Sequence, residues 1–318
     1  MAAPSHRMVR TNGIQMHVVE QGEGPLVVLC HGFPELSHSW RHQLGALTDA
    51  GYRVVVPDMR GYGATERPSA VEAYDILQLT GDLVGLLDAL GADQATFVGH
   101  DWGAVVVWNL AVLAPERVRA VAGLSVPFTP RGERDPISAM EFLFKDRFFY
   151  ILYFQSPGVA DAELAADVEQ TFRRLLRDQA MALDHAAVGP ERPRASAGFL
   201  DALAPPGPLP AWLSEEDLDV YVATFTETGF TGGLNWYRNL RRNWELTAHV
   251  ADWTVRMPAL FLTGSDDPVR RFMTDAHLDR WVPELRANVL LEGAGHWVQQ
   301  ERAAEVNEAL LGFLGSLD

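Results

Sequence analysis

Residues 97–104 constrain the fold of this chain more than any other segment. A β-type apolar run at 95–98 leads into the turn Gly-His-Asp-Trp-Gly at 99–103, and a long apolar helical pattern follows from 104 to 113. This order of strand, sharp turn and helix is typical of a nucleophile elbow, in which a strained turn exposes one side chain at the top of a sheet. The sequence places Asp101 at that exposed point.

An aspartate in this position differs chemically from the serine that such elbows usually carry. A carboxylate is already ionised at neutral pH, so it can act as a nucleophile without a base to remove a proton. A histidine placed nearby is then free to activate water instead. Asp101 therefore predicts an ester-forming carboxylate and a separate water-activating step.

Alternating strand and helix patterns surround the elbow. Residues 7–20 predict a hairpin, because Asn12-Gly13 is a strong turn pair between alternating segments. Further along, apolar runs predict strands and periodic segments predict helices. In chain order these are strand 26–30, helix 39–50, strand 53–57, helix 75–90, strand 95–98, the helix to about 113 and strand 120–124. Such alternation predicts a mostly parallel central sheet with helices on both faces.

A helical block interrupts this alternation. Its aromatic-rich helical patterns lie at 141–154, 161–183, 215–228 and 235–244, and a proline-rich stretch at 187–212 predicts a long ordered loop. The α/β pattern then resumes with strand 259–263, helix 273–281, strand 288–291 and helix 303–314. We interpret residues 1–127 and 246–318 as an α/β core domain, and residues 128–245 as an inserted helical lid, or cap, domain.

Composition excludes several classes of protein. The 318 residues are enough for one large α/β domain with an insertion, and 47% hydrophobic with 21% charged residues is typical of a globular chain. The formal net charge of −16 argues against nucleic acid and anionic membrane partners, since both attract clustered basic residues. No apolar run is long enough for a membrane span, and residues 1–13 lack the apolar centre of a signal peptide. We therefore expect a cytoplasmic protein.

Two further polar segments follow predicted buried strands. Asp266 and Asp267 come directly after the strand at 259–263, and His296 lies in a glycine-rich loop after the next strand. The order nucleophile, acid, histidine is that of the α/β-hydrolase fold. Open α/β sheets place their sites at the carboxyl ends of strands. We therefore expect Asp101, one of these two aspartates and His296 to meet there.

Backbone amides near the elbow predict an oxyanion hole. The segment at 31–34 follows the strand at 26–30, and the N–H of Phe33, together with that of Trp102, can stabilise a developing negative charge. His100 is tied to the elbow, but its side chain should point away from the substrate. We therefore expect His100 to have a structural role.

Taken together, these motifs resemble those of soluble epoxide hydrolases, a family of the α/β-hydrolase superfamily. The resemblance extends over nearly the whole chain. It rests on His-Gly-Phe-Pro-Glu at 31–35, Gly-His-Asp-Trp-Gly at 99–103, Gly-His-Trp at 295–297, and the helical-block segments YILYFQSPG at 150–158 and LNWYRN at 234–239. The two helical-block segments are more specific than the elbow.

The resemblance implies roles for two tyrosines of the helical block. The family uses one tyrosine from each segment to hold the epoxide oxygen, and by motif position these are Tyr150 and Tyr237. Tyr153 competes in the first segment, but it would lie about 300° around a helix from Tyr150. The family pattern also assigns the acid to Asp267 rather than Asp266.

The implied reaction converts an apolar epoxide and water to a vicinal diol. Asp101 would attack an epoxide carbon while the phenols of Tyr150 and Tyr237 stabilise the oxygen. His296, oriented by Asp267, would then activate the water that cleaves the resulting ester.

The resemblance also implies the surroundings of the reaction. Phe33, Pro34, Trp102 and Trp236 would line an apolar substrate pocket. The reaction needs no metal or organic cofactor, and the single cysteine, Cys30, excludes a cysteine-based zinc cluster. We expect a monomer or a homodimer whose partner is a small apolar epoxide.

A haloalkane or haloacid dehalogenase is the nearest alternative, because it would use the same aspartate nucleophile. A haloalkane enzyme needs a second halide donor where Phe33 offers no polar side chain, and halide release leaves the lid tyrosines unexplained. A haloacid enzyme needs basic residues beside Asp101, where Trp102 stands instead. A serine esterase is disfavoured by Asp101 itself, and a non-catalytic binding protein would typically have lost one of these groups.

Overall fold

The computed structural model describes residues 3–145, 147–177 and 198–317. It forms two compact units. The core unit comprises Met1–Arg67, Ile76–Pro130 and Val250–Asp318, and the helical unit comprises Pro68–Asp75 and Arg131–His249. The sequence places the domain boundaries at 128 and 245, and assigns the short segment Pro68–Asp75 to the core domain. Interpretation of the helical unit as a lid stays a prediction.

Eight strands form the single sheet of the core unit. They are β1 Ser5–Thr11, β2 Ile14–Gln21, β3 Leu26–Cys30, β4 Arg53–Pro57, β5 Ala95–His100, β6 Val118–Leu124, β7 Ala259–Gly264 and β8 Leu285–Leu291. Their order is β1-β2-β4-β3-β5-β6-β7-β8, in which β2 runs antiparallel to both neighbours and β3 to β8 are parallel. The predicted mostly parallel sheet is confirmed.

The helices are given in chain order. They are α1 Arg41–Asp49, α2 Ile76–Leu90, α3 Trp102–Leu113, α4 Pro136–Phe144, α5 Tyr150–Tyr153, α6 Val159–Ala165, α7 Val168–Leu175, α8 Glu215–Thr228, α9 Thr231–Arg238, α10 Leu240–Leu246, α11 Leu278–Trp281, α12 Val298–Glu301 and α13 Ala303–Gly315. Short 3₁₀ segments lie at Ser37–Trp40, Val71–Tyr74, Pro115–Arg117, Leu200–Ala202 and Pro268–Arg271. Across the described residues, no helix has the length and apolar character needed to cross a membrane.

The strand order creates a crevice beside the elbow. From β3 the chain first adds β4 on one side and later adds β5 on the other, so the order reverses between β3 and β5. Open α/β sheets bind ligands outside the carboxyl ends of strands at such a switch point. Leu29 of β3 and Val98 of β5 belong to the buried core cluster that also includes Leu310 of α13. This packing fixes the two strand ends that carry the site.

Helix boundaries in the helical unit differ from those predicted. The segment 141–154 forms two helices, because α4 ends at Phe144 and Lys145 adopts a φ of 35°. The rings of Phe144 and Phe149 stack with centroids 3.9 Å apart, which holds the chain in its bent course. The first helix therefore ends where the charged residues 145–147 interrupt the apolar sequence.

Two other predicted helices are also divided. Within 161–183, α6 ends at Ala165 and Asp167 caps α7 by accepting a hydrogen bond from the N–H of Gln170. The predicted helix at 235–244 begins earlier, at Thr231, and breaks between Arg238 and Leu240. Residues 178–183 of the second predicted helix, and 187–197 of the predicted loop, lie outside the described residues.

The predicted helix at 273–281 is largely wrong. Only Leu278–Trp281 is helical there, and a 3₁₀ segment at Pro268–Arg271 precedes it. Pro268 occupies the first position of that segment, and the Asp267 carboxylate accepts a hydrogen bond from the N–H of Val269 at 2.9 Å. This local bond fixes the chain directly after β7, where Asp267 lies.

Candidate active site

The elbow places the Asp101 side chain at the end of β5. Asp101 has φ 52° and ψ −120°, a strained conformation for a residue with a side chain. Close packing on both sides enforces the turn, since a Cβ at Gly99 would lie 2.3 Å from the Gly103 carbonyl oxygen, and one at Gly103 would lie 2.1 Å from that of Cys30. Glycine at both positions therefore lets strand and helix approach closely enough to present the carboxylate.

The loop after β3 supplies a backbone donor to that carboxylate. The N–H of Phe33 donates to Asp101 Oδ1 at 2.8 Å. A Cβ at Gly32 would lie 2.4 Å from the same oxygen, so only glycine permits this approach. The Phe33–Pro34 peptide bond is cis. One of the two carboxylate oxygens is thereby fixed against the backbone, and the other is left facing the histidine loop.

His296 lies between two carboxylates. Its Nδ1 donates to Asp267, with Oδ2 at 3.0 Å and Oδ1 at 3.1 Å. Its Nε2 is 3.6 Å from Asp101 Oδ2. The Asp267 side chain is completely buried, whereas that of Asp101 is 13% exposed. Asp267 is therefore placed to orient the imidazole, and Asp101 keeps a route to a reacting molecule.

The charges around His296 control its protonation. Burial by itself lowers the pKa of His296, but the negative charges of Asp267 and Asp101 outweigh burial and raise this pKa well above its usual value. The two carboxylates therefore favour the charged, imidazolium form of the His296 ring. A change that removes the Asp101 charge also removes one of the two causes of this raised pKa.

The backbone of the histidine loop is fixed from several directions. The His296 carbonyl accepts hydrogen bonds from His100 Nε2 at 2.7 Å and from the Ser125 hydroxyl at 2.8 Å. The Glu301 carboxylate accepts the N–H groups on either side of His296, at 2.7 Å from Gly295 and 2.9 Å from Trp297. Hydrogen bonds therefore hold the His296 carbonyl and the N–H groups of both residues that flank His296.

Behind the elbow, His100 joins the two active-site loops. Its Nδ1 donates to Glu35 Oε2 at 2.7 Å, and both side chains are completely buried. Both ring nitrogens of His100 therefore lie at hydrogen-bond distance from an oxygen. The expectation that His100 is structural fits this arrangement, in which it ties the Phe33 loop to the backbone of His296.

The Glu35 carboxylate accepts the hydrogen bonds that join His100 to the Phe33 loop. Burial alone raises the pKa of Glu35, but the positive charge of His100 and the N–H of Gly32 lower it to about 2. The N–H of Gly32 donates to Glu35 Oε2 at 3.1 Å, and Gln299 Nε2 donates to Oε1 at 2.8 Å. The carboxylate therefore stays charged in the core and holds the loop that carries the Phe33 amide.

The helical unit brings the two predicted tyrosines together. Tyr150 begins α5 and Tyr237 lies near the end of α9, and both are nearly buried. Their rings are 6.0 Å apart between centroids and meet edge to face at 76°. Phe154 contacts both rings, with centroids 5.6 Å from Tyr150 and 5.1 Å from Tyr237. The two phenols form one pair within this unit.

Tyr153 has a different environment. Its hydroxyl hydrogen-bonds to the Glu163 carboxylate, and burial together with that negative charge raises the Tyr153 pKa. The same carboxylate accepts the N–H groups of Phe199 at 3.0 Å and Leu200 at 2.9 Å. Tyr153 is thereby committed to a structural bond, so Tyr150 remains the stronger candidate in this segment.

The remaining predicted pocket residues are buried. Phe33, Pro34 and Trp102 lie in the core unit, and Trp102 is the first residue of α3, directly after Asp101. Trp236 is completely buried in α9. Over the ranges 3–145, 147–177 and 198–317, no group of three or more His, Cys, Asp or Glu side chains has an arrangement that could hold a metal ion.

Three supporting residues were not predicted from the sequence. Glu35 was part of a motif but had no assigned role, and Ser125 and Glu301 were not considered. A signal exists for Ser125, because it directly follows the buried strand β6. Glu301 lies one helical turn after Trp297, whose N–H it accepts. Neither pattern is specific without the three-dimensional contacts.

Comparisons with known proteins agree with this geometry. A family model described as the alpha/beta hydrolase fold matches residues 25–303. The fold and the site therefore define an α/β hydrolase. Epoxide hydrolase A of Mycobacterium tuberculosis is 54% identical over 326 aligned positions, covering 100% of this chain and 99% of that protein. Epoxide hydrolase 1 of Siraitia grosvenorii is 41% identical and covers 97% of each chain.

Solved structures give the same result. The crystal structure of epoxide hydrolase A from Mycobacterium thermoresistibile has a TM-score of 0.94 at 56% identity, covering 99% of each chain. That of an epoxide hydrolase from Vigna radiata has a TM-score of 0.86 at 42% identity and covers 98% of each chain. The chain belongs to the epoxide hydrolase family of the α/β-hydrolase superfamily, as its motifs indicated, and is a hydrolase enzyme.

Proposed function

We propose that the enzyme converts an apolar epoxide and water to a vicinal diol through a covalent ester on Asp101. The observation that carries this proposal is the position of the Asp101 carboxylate, between the Phe33 N–H at 2.8 Å and His296 Nε2 at 3.6 Å. A carboxylate held in this way is partly accessible and close to a histidine that has its own carboxylate partner, Asp267. These are the requirements for covalent catalysis in two steps.

In the first step, Asp101 Oδ2 attacks an epoxide carbon. Oδ1 accepts the Phe33 N–H, so Oδ2 is the oxygen left to form the new bond. The C–O bond of the ring breaks, and its electron pair moves to the epoxide oxygen. The phenols of Tyr150 and Tyr237 donate hydrogen bonds to that oxygen, and one of them delivers the proton. The product is a hydroxyalkyl ester whose carbonyl oxygen is Oδ1.

In the second step, water cleaves the ester. His296 Nε2 takes a proton from the water, and the resulting hydroxide attacks the Asp101 carbonyl carbon. The negative charge that develops on Oδ1 meets the N–H of Phe33, which already contacts that oxygen in the free enzyme. Trp102, as the first residue of α3, supplies the second backbone donor. The ester C–O bond to the diol then breaks, the departing alkoxide takes the proton of the newly formed carboxyl group, and the diol leaves with Asp101 ionised again.

Ester formation itself prepares His296 for the second step. The raised pKa of His296 depends on the charges of both Asp267 and Asp101. Esterification neutralises Asp101, so the pKa of His296 falls and its Nε2 proton can pass, through water, to the phenolate of the tyrosine that protonated the epoxide oxygen. The imidazole therefore becomes a base only after the covalent intermediate has formed, while Asp267 continues to orient it.

A trapping experiment tests the two-step scheme. The variant His296→Gln cannot activate water, so incubation with styrene oxide should add the mass of the substrate to the protein. Cleavage by a protease should locate the added mass on the peptide that contains Asp101. An unmodified protein, from a variant that still unfolds at the wild-type temperature, would show that no ester forms on the enzyme.

The same variant separates this function from a dehalogenase. A haloalkane would leave an alkyl ester and one equivalent of free halide, whereas an epoxide leaves a hydroxyalkyl ester and no halide. We expect turnover of epoxides and no halide release from 1-chlorohexane in the wild-type enzyme. Halide release at a rate comparable to diol formation would contradict the proposed specificity. A cytoplasmic location and a monomeric or homodimeric state stay predictions.

A further inference from the structure

The two tyrosines stand on helices that have little stability of their own. Tyr150 belongs to α5, which has 4 residues, and Tyr237 belongs to α9, which has 8 residues. Isolated helices shorter than about 12 residues are marginal in water. The orientation of the two phenols therefore depends on the contacts that hold α5 and α9 against each other.

Two reciprocal hydrogen bonds join these helices. Gln155 Nε2 donates to the Tyr237 carbonyl at 3.0 Å, and Arg238 Nε donates to the Phe154 carbonyl at 3.1 Å. The neighbouring residues 154 and 155 thus exchange bonds with the neighbouring residues 237 and 238. Each bond ends on the backbone of a helix that carries one of the tyrosines, or on the residue directly after it.

Both donors of this exchange are themselves fixed. Gln155 Nε2 also donates to the Ile151 carbonyl at 2.9 Å, which holds its side chain along α5. The Arg238 side chain is only 4% exposed and pairs with Asp161, with Nη2 2.5 Å from Oδ2. Asp161 also accepts the Thr231 hydroxyl at 2.6 Å, at the start of the same helix α9. A buried guanidinium with this many partners is rigid.

The ring of Phe154 links this exchange to the phenols. Its carbonyl accepts from Arg238, and its N–H donates to the Tyr150 carbonyl at 2.9 Å. Its ring meets those of Tyr150 and Tyr237 edge to face. A movement of α9 relative to α5 would therefore change the distance between the two phenols as well as the two hydrogen bonds.

We propose that Gln155 and Arg238 are positioning residues that set the spacing and direction of the tyrosine pair for epoxide opening. The proposal rests on the function proposed above for Tyr150 and Tyr237. Neither positioning residue takes part in a chemical step. Their effect is limited to ester formation, because ester hydrolysis uses His296 and the backbone donors of the core unit.

The test is the variant Gln155→Met, which keeps the length of the side chain and removes its donor. Ester formation and ester decay are measured separately by rapid quenching with styrene oxide and mass detection of the modified protein. A displacement near 1 Å can cost about 100-fold in rate. We expect ester formation to slow by about tenfold or more, with an unchanged rate of ester decay and an unfolding temperature near that of the wild type.

A double-variant cycle separates positioning from general destabilisation. In a Tyr237→Phe background the donor that Gln155 helps to place is already missing, so adding Gln155→Met should slow ester formation little further. The matched control is Gln94→Met, because Gln94 Nε2 donates to the Glu116 carbonyl at 2.8 Å in the core unit. That variant should leave both rates unchanged.

Arg238→Lys serves as a second variant if Gln155→Met folds poorly. It keeps the charge that pairs with Asp161 and removes the Nε donor to the Phe154 carbonyl, and it should also slow ester formation selectively. The positioning role would be overturned if the variant slowed ester formation and ester decay equally. It would also be overturned if Gln155→Met slowed ester formation by the same factor in the Tyr237→Phe background as in the wild type. Unchanged ester formation in Tyr237→Phe alone would instead overturn the role of the tyrosine itself.

Discussion

The core unit and the helical unit hold their functional side chains by different means. In the core unit, Asp101, Asp267 and His296 follow β5, β7 and β8 of one sheet, and backbone N–H groups donate directly to both aspartates. In the helical unit, Tyr150 and Tyr237 stand on short helices joined by side chains that reach backbone carbonyls. The strands and backbone donors of the core unit therefore fix the two aspartates, whereas the tyrosines depend on side-chain bonds between short helices.

This difference predicts how each unit responds to substitution. A parallel sheet buried on both faces tolerates few changes, but its strand ends stay in register as long as it folds. Short helices can shift when a single side-chain bond is lost, and so alter reactivity without unfolding. Substitutions in the core unit should therefore affect chemistry at the reacting groups and at the side chains that hold their loops, whereas those in the helical unit can act through the contacts between its short helices.

The largest expected effect is that of Asp101→Ala. Removal of the bond-forming carboxylate should abolish turnover, with a loss on the order of 10⁶-fold, as found when other enzymes lose a nucleophile. The loss of turnover is measured as the rate of diol formation from styrene oxide. The control is Asp266→Ala, which removes the exposed carboxylate next to Asp267 and should retain activity. Appreciable diol formation by Asp101→Ala would show that the core unit does not supply the nucleophile.

Loss of the tyrosine hydroxyls should have a smaller effect. Tyr150→Phe and Tyr237→Phe each remove one proposed donor to the epoxide oxygen and should slow ester formation by about 100-fold, the usual cost of losing one such donor. Rapid-quench measurement of the ester gives the rates. Tyr153→Phe is the matched control, because its hydroxyl is bonded to Glu163. If Tyr153→Phe slowed ester formation and Tyr150→Phe did not, Tyr153 rather than Tyr150 would be the donor from this segment.

The same contrast explains what could be predicted from the sequence. The strand ends of the core unit were predictable because strands were recognisable as short apolar runs, and the turn or loop motif that follows each run lies at its end. This placed Asp101 and His296, and left only the choice between Asp266 and Asp267. The structure shows that Asp267 is buried against His296, whereas Asp266 is exposed.

The helical unit was less predictable from the sequence. A charged triplet at 145–147 interrupts the apolar residues of 141–154 and coincides with the break after Phe144, but the prediction extended one helix across it. That break depends on stacking of Phe144 on Phe149. The contacts of Glu35, Ser125 and Glu301 were hidden, because each depends on a partner distant in sequence or on a loop conformation. Long-range packing decides such features, and a single sequence does not display it.

Glu35→Gln tests whether the core unit depends on its buried charges. It removes one partner of the completely buried pair with His100, which usually costs about 3 kcal/mol of unfolding free energy. Urea unfolding at neutral pH measures the loss. Glu284→Gln is the control, since Glu284 pairs with Arg286 at the surface and such pairs contribute little. Equal stability of the two variants would contradict the structural role of this pair.

The pH dependence of the same variant sharpens the test. The pKa of Glu35 is lowered to about 2 in the folded protein. Its ionisation therefore stabilises the fold above the unfolded value of about 4.3, and this stabilisation is lost as the pH falls towards 2. Wild-type stability should decline over this acidic range more steeply than that of Glu35→Gln. Parallel stability curves for the two proteins would exclude a lowered Glu35 pKa.

The smallest expected effect is a change in the titration of His296 when Asp101 becomes neutral. Asp101→Asn imitates the uncharged ester while it keeps the size of the side chain. Burial lowers the pKa of His296, and the charges of Asp267 and Asp101 raise it, so removing one charge should lower this pKa. Titration of the imidazole by NMR measures the change. The control is Asp93→Asn, which removes an exposed carboxylate and should leave the His296 titration unchanged.

The sign of the linked stability gives an independent check on this titration. Because the folded-state pKa of His296 is raised, its contribution to stability is complete below the unfolded value of about 6.5 and is lost as the pH rises through the folded value. Asp101→Asn should therefore show a weaker decline in stability at alkaline pH than the wild type. An unchanged His296 pKa in Asp101→Asn would mean that esterification does not release the base. In that case Asp267 alone would control His296, and the core unit would keep its histidine protonated through both chemical steps.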